Sequence, residues 1–251
     1  MESFVEYIKL LESRIETLEN YHNNTPEPLP EPETNEMFLS YYPFWKTGDL
    51  DVSKYTHLTL CFLDLNEDGT IDWSKIDKIN VEHNNKGISV GGWNDSEKVK
   101  RILNNHKDKV INQLVLDCIE RGYKYISWDI EYPDTNLWIQ GILNTTKSQI
   151  KLNNSDMKIC VAAGVWFGHL DKYKGCSNYI DWIEIMAYDT PVKNINGYVD
   201  SSYKQCLDMG FKKEKIIMGI SFDKNGDNID TVEYKKKMVK DTGIGGLMVW
   251  E

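Results

Sequence analysis

In Tyr123-Lys124-Tyr125-Ile126-Ser127-Trp128-Asp129-Ile130-Glu131-Tyr132-Pro133, residues alternate at period two. Ile126, Trp128 and Ile130 share one face of the strand this predicts, and Tyr125, Ser127, Asp129 and Glu131 share the other. A strand in an all-parallel sheet is covered on both faces, so a run of polar groups there is unexpected. Withdrawing a carboxylate from water costs several kcal/mol unless it is paired, hydrogen-bonded or protonated. Such a cost suggests a use. The apolar face meets helices, which leaves Asp129 and Glu131 pointing into an interior, with the acid nearer the mouth poised to donate a proton. A structural pair satisfied by backbone or Arg is the competing explanation, and Asp95-Ser96-Glu97 has the same spacing without a strand around it.

Working outward, apolar segments rich in β-branched and aromatic residues return at 38–45, 57–65, 87–93, 123–131, 157–166, 179–188, 215–222 and 244–251. Between them lies helical patterning, clearest from Ser96 to Cys118, where Val99, Ile102, Leu103, Val110, Ile111, Leu114 and Val115 recur behind a Ser96 cap. Strands alternating with helices make an α/β protein with a parallel sheet. Eight units in residues 37–251 fit a compact (β/α)8 TIM barrel, with active groups at the carboxyl ends of its strands. An open doubly wound sheet loses its main support because no glycine-rich phosphate loop follows the first strand.

The chain has 251 residues, one domain's worth, and 29 Lys plus Arg against 39 Asp plus Glu, a net charge of −10 that repels a phosphate backbone. Nucleic acid is excluded as a partner. The longest apolar run, Cys160 to Phe167, is far short of the roughly 18 residues a membrane helix needs, and no secretion signal is seen at the start of the chain, so no membrane attachment is expected and the location reads as cytoplasmic or unknown. Five cysteines without CxxC spacing predict reduced, mostly buried thiols. The segment Asp64 to Asp72 imitates half a calcium loop, but Lys75 stands where a bidentate Glu is needed; it reads as an Asp-Gly turn, and no metal ligand set is expected.

Residues 1–22 predict an amphipathic helix with a seam of Phe4, Ile8, Leu11, Ile15 and Leu18; residues 23–36 predict an extended connector holding four of the seven prolines. The sequence ends at Glu251, directly after the eighth strand segment, so a barrel without the usual C-terminal helix is expected. The N-terminal helix is expected to dock in that gap in a monomer, the rival being a coiled-coil dimer through the same seam.

The segment Ile126-Ser127-Trp128-Asp129-Ile130-Glu131 resembles the fourth-strand signature Asp-Gly-x-Asp-x-Asp-x-Glu of glycoside hydrolase family 18, the chitinases and endo-β-N-acetylglucosaminidases. Three further motifs follow in order: Ser89-Val90-Gly91-Gly92 is similar to the family's third strand, Met186-Ala187-Tyr188-Asp189 to its sixth, and Gly245-Gly246-Leu247-Met248-Val249-Trp250 to its eighth. The resemblance implies a retaining, substrate-assisted glycosidase acting beside N-acetylglucosamine, with no cofactor. Glu131 would protonate the glycosidic oxygen, Asp129 would orient the acetamide and stabilise the oxazolinium, and Tyr188 would hydrogen-bond the acetamide carbonyl. Asp189, Trp250, Met186, Tyr132 and Trp93 would contact sugar, although Trp93 and Trp45 could equally pack as core. A compact segment after the seventh strand implies an open groove and cutting within a chain.

Two departures bear on this. Lys124-Tyr125 replaces the family's Asp-Gly, and Ser127 replaces its middle Asp, which shares a proton with the residue held here by Asp129; slower turnover or an altered pH optimum is expected, and a sugar-binding protein without catalysis is the alternative. Period two also puts Glu184 inward beneath Met186 and Tyr188, either as a substitute carboxylate near Asp129 or as the partner of a buried Lys or Arg.

Overall fold

The computed structural model describes residues 36–46, 51–131, 135–165, 168–188, 195–222 and 227–250. The predicted N-terminal helix and its connector up to residue 35 lie outside the described residues. Nine strands run in chain order: β1 (Met37–Pro43), β2 (His57–Leu65), β3 (Ile71–Asp72), β4 (Lys86–Gly91), β5 (Tyr125–Asp129), β6 (Lys158–Gly164), β7 (Trp182–Met186), β8 (Ile216–Ser221) and β9 (Gly246–Trp250). Apart from β3 they are parallel, ordered β1-β9-β8-β7-β6-β5-β4-β2, and β2 pairs back onto β1 to close a barrel. The eight barrel strands are the eight apolar segments of the sequence.

Four α-helices cover the connections among the described residues: α1 (Ser96–Glu120), α2 (Asn136–Leu152), α3 (Ile195–Asp208) and α4 (Ile229–Thr242). Elsewhere single 3-10 turns serve instead, at Val52–Lys54, Ile76–Lys78 and Asp171–Tyr173. The Asp-Gly turn sits between β2 and β3, which pair antiparallel, with Gly69 at φ +77° accepting the reversal. None of the described helices is long and apolar enough to cross a membrane.

Inside the barrel, Leu39, Tyr41, Cys61, Tyr125, Cys160, Ala162, Trp182, Met186, Ile217 and Met248 form one buried cluster. Val110, Ile111, Leu114 and Val115 of α1 are fully buried at helical spacing, as the sequence predicts. All five cysteines are buried free thiols. The seam where β9 meets β1 depends on Gly246: its φ is +145°, and a Cβ there would lie 1.9 Å from the Met37 carbonyl oxygen.

Ser96 does not cap α1. Asp95 occupies the cap position without a side-chain bond, and Ser96 is the first helical residue. Its hydroxyl is used otherwise, because the helix starts directly beneath the end of β5.

Candidate active site

The inner face of β5 carries Tyr125, Ser127 and Asp129 in line, and Glu131 follows just beyond the strand's carboxyl end. Next to it, β4 places Gly91 in register with Asp129. Gly91 has φ +119°, and a Cβ there would meet the Asp129 carbonyl oxygen at 2.0 Å, so only glycine lets the two strands approach this closely at the site. Ser96 then ties the next turn down: its Oγ donates to the Gly92 carbonyl at 2.8 Å and accepts the Glu131 N–H at 2.8 Å. The Trp93 backbone N–H donates to the Glu131 carboxylate. Ser96 at the start of α1 therefore fixes the backbone of Glu131, and the turn just before the helix fixes its head group.

These acids stand in a cavity of about 700 Å³ at the carboxyl end of the barrel, the position expected of an active site in this fold. Asp129, Glu131, Met186, Tyr188 and Trp250 line it, and so does Trp93. The structure thus brings together six of the eight residues singled out from the sequence. Tyr132 and Asp189 lie outside the described residues. Trp93 and Trp45 are not core: they are 69% and 54% exposed at the cavity rim.

An aromatic nest forms one wall. Trp250 lies edge-on to Tyr41 with ring centroids 6.0 Å apart, 5.9 Å from Phe62 and 6.4 Å from Trp45. Phe44 packs edge-on against Trp45 at 4.9 Å, and the Lys75 ammonium sits 4.7 Å above the Phe44 ring while bridging to Asp64 at 2.5 Å. Phe44, Phe62 and Lys75 were not legible as site residues, since each reads in sequence as an ordinary strand or turn residue.

Electrostatics separate the two acids. Burial is the largest influence on Glu131 and pushes its carboxyl up to about 7; the Lys172 charge and the Trp93 N–H oppose it. Asp129 is only 3% exposed, and its Oδ1 has no hydrogen-bond partner among the described residues. Burial first, and then the charges of Glu131 and Glu184, raise Asp129 well above the carboxylate range, against the opposing pull of Lys172. The Lys172 ammonium is itself buried and donates to the Ile130 carbonyl, between the two acids in sequence. No sequence signal marks it: it is one Lys among several in a loop, buried only because the turn at Asp171–Tyr173 folds under β5. The site can therefore hold a proton at neutral pH on a group facing an aromatic-walled cavity, beside a second carboxyl shielded from water.

Glu184 points inward, as its period predicts, but no buried Lys or Arg meets it among the described residues. Its Oε1 accepts the Trp182 indole N–H at 2.8 Å, and its Oε2 accepts the Tyr41 hydroxyl and, at 3.4 Å, the Ser127 hydroxyl.

The sequence matches the profile of Glycosyl hydrolases family 18 over residues 37–226. The chain belongs to this family. Family 18 membership agrees with the folds of solved structures. Chitinase ChiA74 from Bacillus thuringiensis superposes with a TM-score of 0.70 at 16% identity, covering 87% of this chain and 66% of that one. A family 18 N-acetylglucosaminidase from Paenibacillus barengoltzii gives 0.66 at 16% identity, over 86% of this chain and 95% of that one. The class V chitinase from Nicotiana tobaccum gives 0.66 at 14% identity, over 86% and 94%. The chain spans 66% of the length of ChiA74 and 40% of the multi-modular Paenibacillus chitinase ChiW. None of the curated proteins matches the sequence.

Proposed function

We propose that this family 18 protein is a chitinase-like glycosidase that cleaves β-1,4 bonds beside N-acetylglucosamine within a chain, with retention and with the substrate's acetamide as nucleophile. The observation that carries the reading is the pairing, in one aromatic-walled cavity, of Glu131, whose carboxyl titrates at about 7, with the almost wholly buried Asp129. Glu131 is the general acid: it donates its proton to the glycosidic oxygen as the bond to the leaving sugar breaks, and as a base it later takes a proton from the incoming water. The acetamide oxygen attacks the anomeric carbon from within the same sugar, so the nucleophile is already in place. Asp129 accepts the acetamide N–H and, once ionised, stabilises the positive oxazolinium.

Tyr188 directs its hydroxyl to the acetamide carbonyl, and Trp250 is the floor under the reacting ring. Met186 and Trp93 complete the contacts, with Tyr132 and Asp189 assigned to sugar by their motif positions. No cofactor enters the scheme. The tobacco chitinase is described in complex with NAG4, which supports an N-acetylglucosamine oligomer as ligand here. A second reading, a lectin on the same barrel, is favoured by one observation, the hydroxyl of Ser127 in place of the family's middle carboxylate. Release of fluorophore from chitobiose and chitotriose aryl glycosides separates them. Wild type should turn over, and Glu131→Gln should lose about 10²–10⁴ in kcat/KM. Binding by both without turnover by either would establish the lectin.

A further inference from the structure

Directly beneath the two acids the barrel interior holds a polar layer that the scheme above leaves unused. Tyr41 of β1, Ser127 of β5 and Glu184 of β7 converge from three strands: the Tyr41 hydroxyl lies 2.9 Å from Ser127 Oγ and also donates to Glu184. Tyr41, Ser127 and Glu184 are each at most 2% exposed. Ser89 of β4 stands in register with Ser127, and its buried Oγ has no partner among the described residues. Asp129 lies two residues above Ser127 on the same strand face, about 7 Å along the chain.

The distribution of hydrogen bonds decides where negative charge settles. Burial raises the Glu184 carboxyl, but four side-chain donors, Tyr41, Trp182, Cys160 and Ser127, oppose it and support an anion. Asp129 has a buried oxygen with no donor among the described residues. Around them stand Tyr125 of β5, Glu131 just beyond its end, Cys61 of β2, Cys160 of β6 and Lys172 of the 3-10 turn; Lys172 is the cation in this set and reaches the Ile130 carbonyl above the layer. A buried carboxyl with one oxygen unbonded among the described residues, stacked over a neighbour that has several donors, keeps its proton.

We propose that Glu184 is a positioning residue of the site: its carboxylate, held by Tyr41, Ser127 and Trp182, keeps Asp129 protonated in the sugar-free enzyme. This rests on the glycosidase reading for its meaning and adds to it the group that does, from β7, what Ser127 cannot do from β5. Glu184→Gln is the suitable change, because the amide can still accept from Trp182 while its NH2 donates to the Tyr41 and Ser127 oxygens.

The test is a 13C NMR titration of side-chain-labelled Asp in the sugar-free protein, with Asp129 assigned by its loss in Asp129→Asn. In Glu184→Gln the Asp129 midpoint should fall by about one pH unit or more, because the Glu184 charge is one of those that raise it. In Ser127→Asp/Glu184→Gln, which returns the charge to β5, it should rise back to the wild-type value, and the pH profile of kcat/KM should follow both moves. An unmoved midpoint in a folded Glu184→Gln protein would overturn the proposal. If that variant melts below the assay temperature, Ser127→Asp with and without Glu184→Gln decides: an Asp129 midpoint lower in the double variant than in Ser127→Asp alone supports the proposal, and equal midpoints overturn it. A wild type that cleaves no chitooligosaccharide would remove the glycosidase reading while leaving the titration to judge Glu184.

Discussion

Glu131 and Lys172 set the working pH between them. The acid must carry its proton, and burial holds that carboxyl near pH 7, so kcat/KM should decline as pH rises through about 7. The buried Lys172 charge favours the ionised forms of Glu131 and Asp129, and its removal therefore raises both. In Lys172→Met the alkaline limb of the profile should move upward; a limb that stays in place would show that this ammonium is only structural. Trp250 is tested by truncation: Trp250→Ala removes the indole from the nest formed with Tyr41, Phe62 and Trp45 and should lower kcat/KM by about tenfold or more while the fold survives. Unchanged kinetics would place the sugar elsewhere. Lys172 was invisible in the sequence because only tertiary folding buries it, whereas Glu131 was legible from the alternation of a single strand.

Among the elements, the strand contacts at two glycines carry the geometry. Gly91 lets β4 touch the end of β5, and Gly246 lets β9 touch β1; in both, a Cβ would strike a carbonyl oxygen of the neighbouring strand at 2.0 Å or less, with a positive φ besides. Alanine at either position should cost about 1–3 kcal/mol or more. The two should differ in kind: Gly246→Ala should lower the melting temperature chiefly by opening the seam, whereas Gly91→Ala should also lose activity in the fraction that stays folded. Equal residual activity per folded molecule would contradict the assigned place of Gly91. The strands were legible because β-branched and aromatic runs recur along the chain. Which connections would be helices was less so: single 3-10 turns replace helices at Val52–Lys54 and Asp171–Tyr173, since short polar segments pattern alike in both states. Ser96 looked like a cap because caps and site-directed hydroxyls occupy the same place at a helix start.

For the whole molecule, buried acids trade stability for chemistry. Glu131 titrates at about 7 in the folded protein against 4.5 when exposed, so the native state binds the extra proton between those values. Stability from this group is therefore fully present below about pH 4.5 and is lost as pH rises through 7, by about 3 kcal/mol. Glu131→Gln should melt above wild type at pH 8 and lose that advantage at pH 4; a difference independent of pH would refute the buried-acid assignment. The barrel as a whole was readable from eight segments and four ordered motifs, and the inward faces of Ser127 and Glu184 from their period, yet the Tyr41 hydroxyl that joins them was not, because the three come from strands far apart in sequence. The most direct test of the account is the anomer first formed from chitotetraose, followed by 1H NMR before mutarotation. Attack by the acetamide followed by water predicts the β-anomer; initial release of the α-anomer would contradict the roles given to Asp129 and Glu131.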